Sequence, residues 1–267
     1  MGKTRGQFRI YPSSNPGVQI VEAATNHTFP RHSHEQYGIG VIHQGAQKSH
    51  SGRGMVEAGP GHVITVNPGE VHDGVPIGDA GRSWRMLYFD PHIVDDAVRD
   101  MNGGKGDGEF TQPVMNDATI AKRFQHLFAS MLLRPGPSPI DGEEQLLRLL
   151  AHVHGRRTFP APLPAAIRVV KERIDDEPTA SITLESLARA SGLSRFQVLR
   201  GFAGATGFTP QAYLMQRRTD LARRLIADGT GLAEVAAASG FADQSHMTRI
   251  FVRKYGISPG TYAAALA

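Results

Sequence analysis

The sequence predicts an α+β chain of two domains, a β-rich N-terminal barrel or sandwich with flanking helices and an all-α C-terminal domain. Three observations indicate this: short strand-like segments broken by glycine and proline between residues 8 and 90, a duplicated pattern of helix, turn and helix after residue 183, and a segment with three prolines between the two halves. A chain of 267 residues is long for one compact core, so two domains are the simplest expectation. We place the N-terminal domain at residues 1–155, a linker at 156–164 and the C-terminal domain at 165–267.

The composition excludes several kinds of site and location. The chain contains no cysteine, which rules out disulfides, thiolate zinc sites and cysteine nucleophiles. No apolar run approaches the roughly 20 residues that a membrane span needs. The first 17 residues lack the apolar core of a secretion signal. We therefore expect a cytoplasmic protein without a membrane contact.

The N-terminal half shows the alternation of apolar and polar residues that is typical of β-strands. It is clearest in residues 36–47, 52–72 and 84–90, and turn residues separate the segments. Short strands at this spacing predict a barrel or sandwich. Two helices with one apolar face follow, one at residues 143–154 and an earlier one marked by Ile120, Phe124, Leu127, Phe128 and Met131. Their apolar faces must pack on the barrel or on a second subunit.

Three histidines of this half form a candidate binding site. His32 and His34 would share one face of a strand, because side chains two residues apart point the same way. His72 follows a Pro-Gly turn and can reach the same barrel mouth. Three interpretations stay open: a metal-free pocket in which the imidazoles hydrogen-bond a small polar effector, a divalent metal site, or purely structural histidines. Further candidates for the pocket wall are Tyr37, Trp84, Arg85 and Tyr88.

The strongest signal is an internal repeat after residue 183. Five positions recur 48 residues later and five more recur 49 residues later, with one residue inserted after the turn. In the first copy they are Leu184, Leu187, Ala188, Ser191, Gly192, Arg200, Phe202, Gly207, Pro210 and Tyr213; in the second they are Leu232, Val235, Ala236, Ser239, Gly240, Arg249, Phe251, Gly256, Pro259 and Tyr262. Ten matches in register predict two copies of one structural unit rather than a plain helical bundle.

Each copy has the residues of a helix, a tight turn and a second helix. Thr183 can cap the first helix, and Gly192 permits the left-handed backbone where the chain reverses. Ser194 and Asp243 can cap the second helices. Between the copies, residues 210–228 predict one continuous helix, about 28 Å long at roughly 1.5 Å per residue. Such a helix can hold two recognition helices about one DNA turn apart.

Charge separates the two halves of the chain. Residues 1–164 carry 16 basic and 16 acidic side chains, whereas residues 165–267 carry 13 basic and 9 acidic ones. The net charge of +4 therefore lies in the C-terminal half, where it favours a polyanionic partner. Eleven of the 12 histidines lie in the other half.

The segment GFADQSHMTRIFVRKYGISPGTYAAAL, with the repeat before it, resembles the DNA-binding domain of the AraC/XylS family of regulators. The resemblance covers about residues 165–267 and implies seven helices, with two helix-turn-helix units joined by a long helix. It places the recognition helices at about residues 194–206 and 243–255. The candidate DNA readers are the side chains that face away from the packed side: Arg195, Phe196, Leu199, Arg200, Gln244, Ser245, His246 and Arg249.

Several of these candidates suit particular bases. Arg200 and Arg249 occupy matched positions, and an arginine can bind guanine through two hydrogen bonds. Gln244 can pair with adenine in the same way. Phe196 and Leu199 stand where many members of the family are polar, and they can contact thymine methyl groups. The alternative for each candidate is a phosphate contact or a solvated surface, which is also what we expect for Arg217, Arg218, Arg223 and Arg224 of the joining helix.

The histidine clusters resemble the two motifs of the cupin barrel over about residues 15–90. The resemblance implies a cupin-like barrel that senses a small molecule, followed by two helices that form a homodimer. The cupin metal site also contains an acid after three or four intervening residues beyond the second histidine, where this chain has Gly38 and Ile39. That departure counts against a bound metal. The one cofactor we consider is a divalent metal at His32, His34 and His72.

These features predict a transcription regulator that binds DNA through its C-terminal domain and a small polar effector in its barrel. The expected partners are double-stranded DNA, the effector, a second subunit and RNA polymerase. Two other classes stay open: a cupin oxygenase or isomerase with a DNA-binding domain attached, and an architectural DNA-binding protein without a ligand. The enzyme needs a metal with open coordination sites. The architectural protein predicts no ligand-induced change in melting temperature.

Overall fold

The chain divides into two compact units, residues 1–158 and 159–265, in a computed structural model. The structure describes residues 6–13, 15–101, 108–132, 139–154 and 163–266. Most of the predicted linker, residues 156–162, lies outside these ranges. Within them, no helix combines the length and apolar character needed to cross a bilayer.

The N-terminal unit contains ten strands and three helices in its described residues. The strands are β1 (Gln7–Tyr11), β2 (Val18–Thr25), β3 (Phe29–His32), β4 (Tyr37–Gln44), β5 (Ala46–Ser51), β6 (Gly54–Ala58), β7 (Val63–Val66), β8 (His72–Ile77), β9 (Arg82–Phe89) and β10 (Val114–Met115). The helices are α1 (Pro91–Met101), α2 (Ala118–Leu132) and α3 (Pro139–Val153). The strands form a six-stranded sheet in the order β1-β2-β9-β4-β7-β10 and a four-stranded sheet in the order β3-β8-β5-β6.

The two sheets pack face to face around an apolar layer. Ala23, Trp84 and Met86 of the six-stranded sheet pack with Phe29 and Ala58 of the four-stranded sheet. Across the described strands the hydrogen-bond ladder forms two sheets rather than one closed barrel. This arrangement is consistent with a cupin-like fold, and the predicted β-rich domain with flanking helices is confirmed.

A second apolar layer lies between the six-stranded sheet and the helices. Leu87 and Phe89 of β9 belong to it, together with Val94 of α1 and Phe124 and Leu127 of α2. Successive residues of a strand point to opposite faces. In β9, Arg82, Trp84, Met86 and Tyr88 therefore face the other sheet. Arg85, Leu87 and Phe89 face the helices.

The C-terminal unit forms seven helices over residues 163–266, as the family resemblance implied. They are α4 (Ala165–Asp176), α5 (Leu184–Ser191), α6 (Arg195–Thr206), α7 (Pro210–Ala227), α8 (Leu232–Ala238), α9 (Gln244–Tyr255) and α10 (Pro259–Leu266). The long joining helix α7 is continuous. The predicted double helix-turn-helix fold is confirmed.

The predicted caps set the ends of these helices. The Thr183 hydroxyl accepts the backbone N–H of the third residue of α5 at 3.0 Å. Ser194 does the same for α6 at 3.2 Å, and the Asp243 carboxylate does so for α9 at 2.6 Å. Gly192 ends α5 with a left-handed φ of 68°. Each turn is thus specified by its own local residues.

Two half-buried arginines of α7 are bound to partners within the unit. The Arg217 guanidinium lies 2.9 Å from the Asp175 carboxylate. Arg218 donates hydrogen bonds to the carbonyl oxygens of Pro178 at 2.7 Å and Ala180 at 3.0 Å, and burial lowers its pKa. Both side chains stay half-exposed, so the expected phosphate contact stays a prediction for their outer edges. Their role is to fasten α7 to α4 and to the loop after it.

Gly240 is a position where alanine should be harmful. Its φ is +79°, and a Cβ would lie 3.0 Å from both the Thr179 Cα and the Arg218 Nε. We expect Gly240→Ala to destabilise the unit by about 1–2 kcal/mol or more. Gly204→Ala is the matched control, because a Cβ there meets nothing within 4 Å inside helix α6. It should stabilise by about 0.5–1 kcal/mol. Urea unfolding followed by far-UV circular dichroism measures both, and equal effects would contradict this account of the turn.

Candidate functional site

The three predicted histidines lie together at one end of the four-stranded sheet. β3 pairs with β8, and His32 lies directly opposite His72. The His32 ring centroid is 4.3 Å from that of His72 and 4.9 Å from that of His34. One nitrogen from each ring lies within 4.8 Å of the other two. His34 lies just past the end of β3, so the predicted strand geometry of the pair is wrong although the rings meet.

Backbone carbonyls orient two of these rings. The His32 Nδ1 lies 2.7 Å from the Pro30 carbonyl oxygen, and the His72 Nδ1 lies 3.0 Å from that of Glu70. A carbonyl oxygen only accepts, so Nδ1 carries a proton in each ring, and in the neutral form of such a ring Nε2 carries the lone pair. Such a ring can accept a hydrogen bond from a ligand or bind a metal ion.

The three nitrogens are the donors that a divalent metal would bind once the rings move closer together. Metal–nitrogen bonds of about 2.0–2.1 Å bring ligand nitrogens to within roughly 4 Å of one another. Gly38 stands at a position of the cupin acid, and a Cβ there would lie 2.9 Å from the Met86 Cε and 3.2 Å from a Tyr88 ring carbon. Ile39 faces the helices. In the described residues the candidate ligand set is therefore the three histidines.

Two of the aromatic candidates share the space between the sheets with the histidines. The Tyr88 ring lies 5.3 Å from the His34 ring. The Trp84 ring lies 6.0 Å from Phe29, whose ring is in turn 6.0 Å from His32. The structure thus brings a polar group of imidazoles next to an aromatic wall.

Tyr37 and Arg85 lie on the opposite face of the six-stranded sheet. The Tyr37 hydroxyl donates to the Asp95 carboxylate at 3.1 Å, and Arg85 lies 2.9 Å from the Glu22 carboxylate. The Arg85 guanidinium also stacks 5.2 Å above the ring of Phe128 in α2. The prediction that these two residues line the histidine pocket is therefore not supported. Strand alternation turns both toward the helices.

Arg82 is the interior residue that the sequence analysis missed. It precedes Trp84 by two positions in β9 and therefore shares its face. It is only 4% exposed, and its Cζ lies 5.0 Å from the Trp84 ring centre and 5.6 Å from that of Phe29. Burial lowers the pKa of this guanidinium to about 10. The alternation of β9 groups Arg82 with Trp84, but only the packing of the two sheets shows that this face is the inner one.

The outer face of α6 carries the first set of predicted DNA readers. Val198 and Phe202 are fully buried and hold the opposite face of the helix on the unit. Phe196 is 68% exposed, which is unusual for a phenylalanine without a partner surface. The exposed residues of this helix include all four candidates, Arg195, Phe196, Leu199 and Arg200.

The outer face of α9 has a matching organisation. Gln244, Ser245 and Arg249 are exposed. His246 is half-buried, with its ring 5.4 Å from Phe241, so it lies at the edge of this face. Arg253 is exposed one helical turn after Arg249 and was missed, although its spacing of four places it on the same face.

Comparison with known proteins matches both units. The family model of the AraC-like ligand binding domain matches residues 15–151, and a helix-turn-helix domain matches residues 187–265. The chain is 28% identical over 225 residues to the HTH-type transcriptional regulator YbfI of Bacillus subtilis, covering 82% of this chain and 81% of YbfI. It is 40% identical over 96 residues to the transcriptional activator NphR of a Rhodococcus species, covering 36% of this chain and 28% of NphR.

Among solved structures, ToxT from Vibrio cholerae has the same two-domain fold. The O395 structure has a TM-score of 0.60 at 13% identity and covers 99% of each chain. A structure of ToxT with an unsaturated fatty acid bound has a TM-score of 0.60 at 13% identity, covering 100% of this chain and 98% of that one. At this level of identity the likeness is one of fold.

Proposed function

This chain belongs to the AraC-like family of transcription regulators, and from that premise we propose that it reads DNA with α6 and α9 and receives a small effector beside His32, His34 and His72. The observation that carries the proposal is the pair of capped helices whose inner faces are buried and whose outer faces carry exposed arginines at matched positions. Helices held in this way can enter neighbouring major grooves as one unit.

The distribution of cations supports a direct role for the recognition helices. Arg217 and Arg218 of α7 are held by contacts within the unit. Arg200 and Arg249 are exposed. Binding to the DNA backbone releases counterions in proportion to the phosphates contacted. The exposed arginines of α6 and α9 are therefore our candidates for that contribution and for base contacts.

The effector half of the proposal rests on the interior of the N-terminal unit. His32, His34 and His72 bring ring nitrogens within 4.8 Å of one another, next to the rings of Tyr88 and Phe29. The fatty acid bound to ToxT supports the idea that a chain of this fold takes up a small molecule. A divalent metal held by the histidines would polarise an effector oxygen as a Lewis acid.

We propose that this interior binds its ligand without transforming it. Gly38 and Ile39 stand where the cupin site has its acid, and the relatives named above are regulators. Metal analysis of the purified protein, followed by an oxygen-consumption assay, tests this point. Stoichiometric iron with turnover of a substrate would contradict it.

A homodimer and contact with RNA polymerase stay predictions. The apolar face of α2 packs on the chain's own six-stranded sheet and α3 packs on α2 and α1, and this buries Phe124, Leu127 and Leu149. A second subunit is therefore not needed to bury them. Analytical ultracentrifugation of the full chain, with and without operator DNA, tests the dimer.

Residues 165–267 expressed alone should bind the same operator as the full chain. The expectation follows from the separate core of this unit, in which Val198, Phe202, Met247 and Phe251 are fully buried. Fluorescence anisotropy with labelled operator and scrambled DNA, at several salt concentrations, measures the affinity and the specificity. A folded fragment without operator preference would contradict the proposed division of labour between the units.

A further inference from the structure

We propose that Arg82 forms an anion-binding subsite inside the N-terminal unit, and that the effector is a small monocarboxylate whose carboxylate pairs with this guanidinium. The inference rests on the proposed function, since it names the chemical class of the effector. Nothing in the family match assigns a role to this residue.

The first argument is that Arg82 is a buried cation with neutral partners. Its Nε donates to the Gln47 side-chain oxygen at 2.9 Å, and its Nη1 donates to the His27 carbonyl oxygen at 3.1 Å. Its Nη2 donates to the Gly74 carbonyl oxygen at 3.3 Å. Across the part of the chain that the structure describes, no acidic side chain pairs with it. An ionised group taken out of water without a counter-charge is costly.

Arg85 of the same strand provides a comparison, because its charge is balanced by a carboxylate. It lies three residues later on the opposite face of β9, is partly exposed, and pairs with Glu22 at 2.9 Å. Arg82 is more deeply buried than Arg85 and has aromatic faces in place of a carboxylate: those of Trp84 and Phe29. Such faces attract a cation but do not neutralise it. The missing counter-charge is what an anionic ligand would supply.

The second argument concerns the kind of anion. An arginine has five N–H groups, and three of those on Arg82 are used within the described residues, which leaves one on each terminal nitrogen. A carboxylate is planar, singly charged and able to accept two such hydrogen bonds. A doubly charged phosphate would bring excess negative charge into an interior lined by Trp84 and Phe29.

The third argument places the rest of the ligand. His72 and Gly74 lie two residues apart on one face of β8, about 7 Å along the strand. The Arg82 Nη2 lies 3.2 Å from where a Gly74 Cβ would be, so the guanidinium fills the place of a side chain at that position. A ligand paired with Arg82 would therefore extend along β8 toward the rings of His32 and His72, with its apolar body against Phe29 and Trp84.

The test uses two acids and their neutral amides with the full chain. The acids are 4-hydroxybenzoate and hexanoate, and the controls are 4-hydroxybenzamide and hexanamide. Trp84 is the single tryptophan of the chain and adjoins Arg82, so its fluorescence reports binding there. We expect at least one acid to change this signal saturably and to raise the melting temperature. Its amide should bind about thirtyfold or more weakly.

Three variants separate a ligand contact from a structural role. Arg82→Met should lose about thirtyfold or more of the acid affinity and leave amide binding unchanged. Arg82→Lys keeps the charge without the planar fork and should retain part of the acid preference. Arg85→Met, on the other face of the strand, should bind the acid as the unaltered chain does. If Arg82→Met does not fold, the test uses Arg82→Lys and the unaltered chain. The ratio of their affinities for the acid and its amide then decides whether Arg82 binds the carboxylate.

The outcomes that overturn the subsite differ from those that overturn the proposed function. Equal binding of acid and amide, unaltered acid binding by Arg82→Met, or no response to either acid would each overturn the anion subsite. If a neutral compound still shifted operator affinity in any of these cases, the effector proposal would stand. Conversely, acid binding at Arg82 without any change in operator affinity would keep the subsite and contradict the regulatory role.

Discussion

Replacing Asp220 by alanine should cost the C-terminal unit about 3–5 kcal/mol of unfolding free energy. Asp220 and Lys254 are 4% and 5% exposed and form an ion pair between α7 and α9. The Tyr255 hydroxyl donates to the same carboxylate oxygen at 2.9 Å. Burial raises the pKa of Tyr255 well above its ordinary value, and Asp220 raises it further. Alanine would leave a buried ammonium and a buried hydroxyl without this acceptor.

The two units can be followed separately in this experiment. The fluorescence of Trp84 reports the N-terminal unit, whereas far-UV circular dichroism is weighted toward the helical C-terminal unit. Asp220→Ala should shift the dichroism transition alone. Glu172→Ala, which removes an exposed partner 3.1 Å from Arg168, should change the free energy by less than about 0.5 kcal/mol. The pair would be shown to contribute little if Asp220→Ala lost no more than this control.

Removing the guanidinium of Arg249 should weaken operator binding by about 1–3 kcal/mol, or roughly 5–150-fold. Arg249 is exposed on the outer face of α9. If it reads a base, Arg249→Ala should also relax the preference at one base pair. Arg200→Ala should do the same in the other half of the operator, because Arg200 occupies the matched position of the repeat.

Operators with single base-pair substitutions distinguish the two kinds of contact. Arg189→Ala is the control, since Arg189 lies on α5 beside Glu185, outside both recognition helices. It should leave affinity nearly unchanged. Equal weakening by Arg249→Ala on every sequence, with the salt slope reduced by about one, would identify a phosphate contact and contradict base reading.

The C-terminal unit was predictable because its signals are local. Thr183, Ser194 and Asp243 cap the helices that follow them, and Gly192 takes the left-handed conformation that the turn needs. The partners of Arg217 and Arg218 were not predictable from local signals. Their partners come from α4 and the loop after it, about 40 residues away in sequence. A count of charges along α7 cannot show which of them another helix neutralises.

The N-terminal site was predictable only in part. The histidine spacing identified His32, His34 and His72. They meet because β3, which ends at His32, pairs with β8, which begins at His72. The sequence pattern also distinguishes the two faces of β9, but it does not say which face lies between the sheets. Trp84 and Arg85 are neighbours and must point opposite ways. Only the packing of the two sheets shows that the inner arginine is Arg82. Helix α1 was likewise not predicted, since its segment ends in a glycine-rich stretch.

The close approach of Gly240 to Thr179, with Arg218 bridging to the same loop, joins the turn of the second helix-turn-helix unit to the start of the first. The contact therefore opposes rotation of recognition helix α9 relative to recognition helix α6. An extra base pair between the two half-sites of an operator would rotate one of them by about a tenth of a turn around the duplex axis. Natural binding sites for this regulator should accordingly keep a constant spacing between their halves, whatever their base sequence.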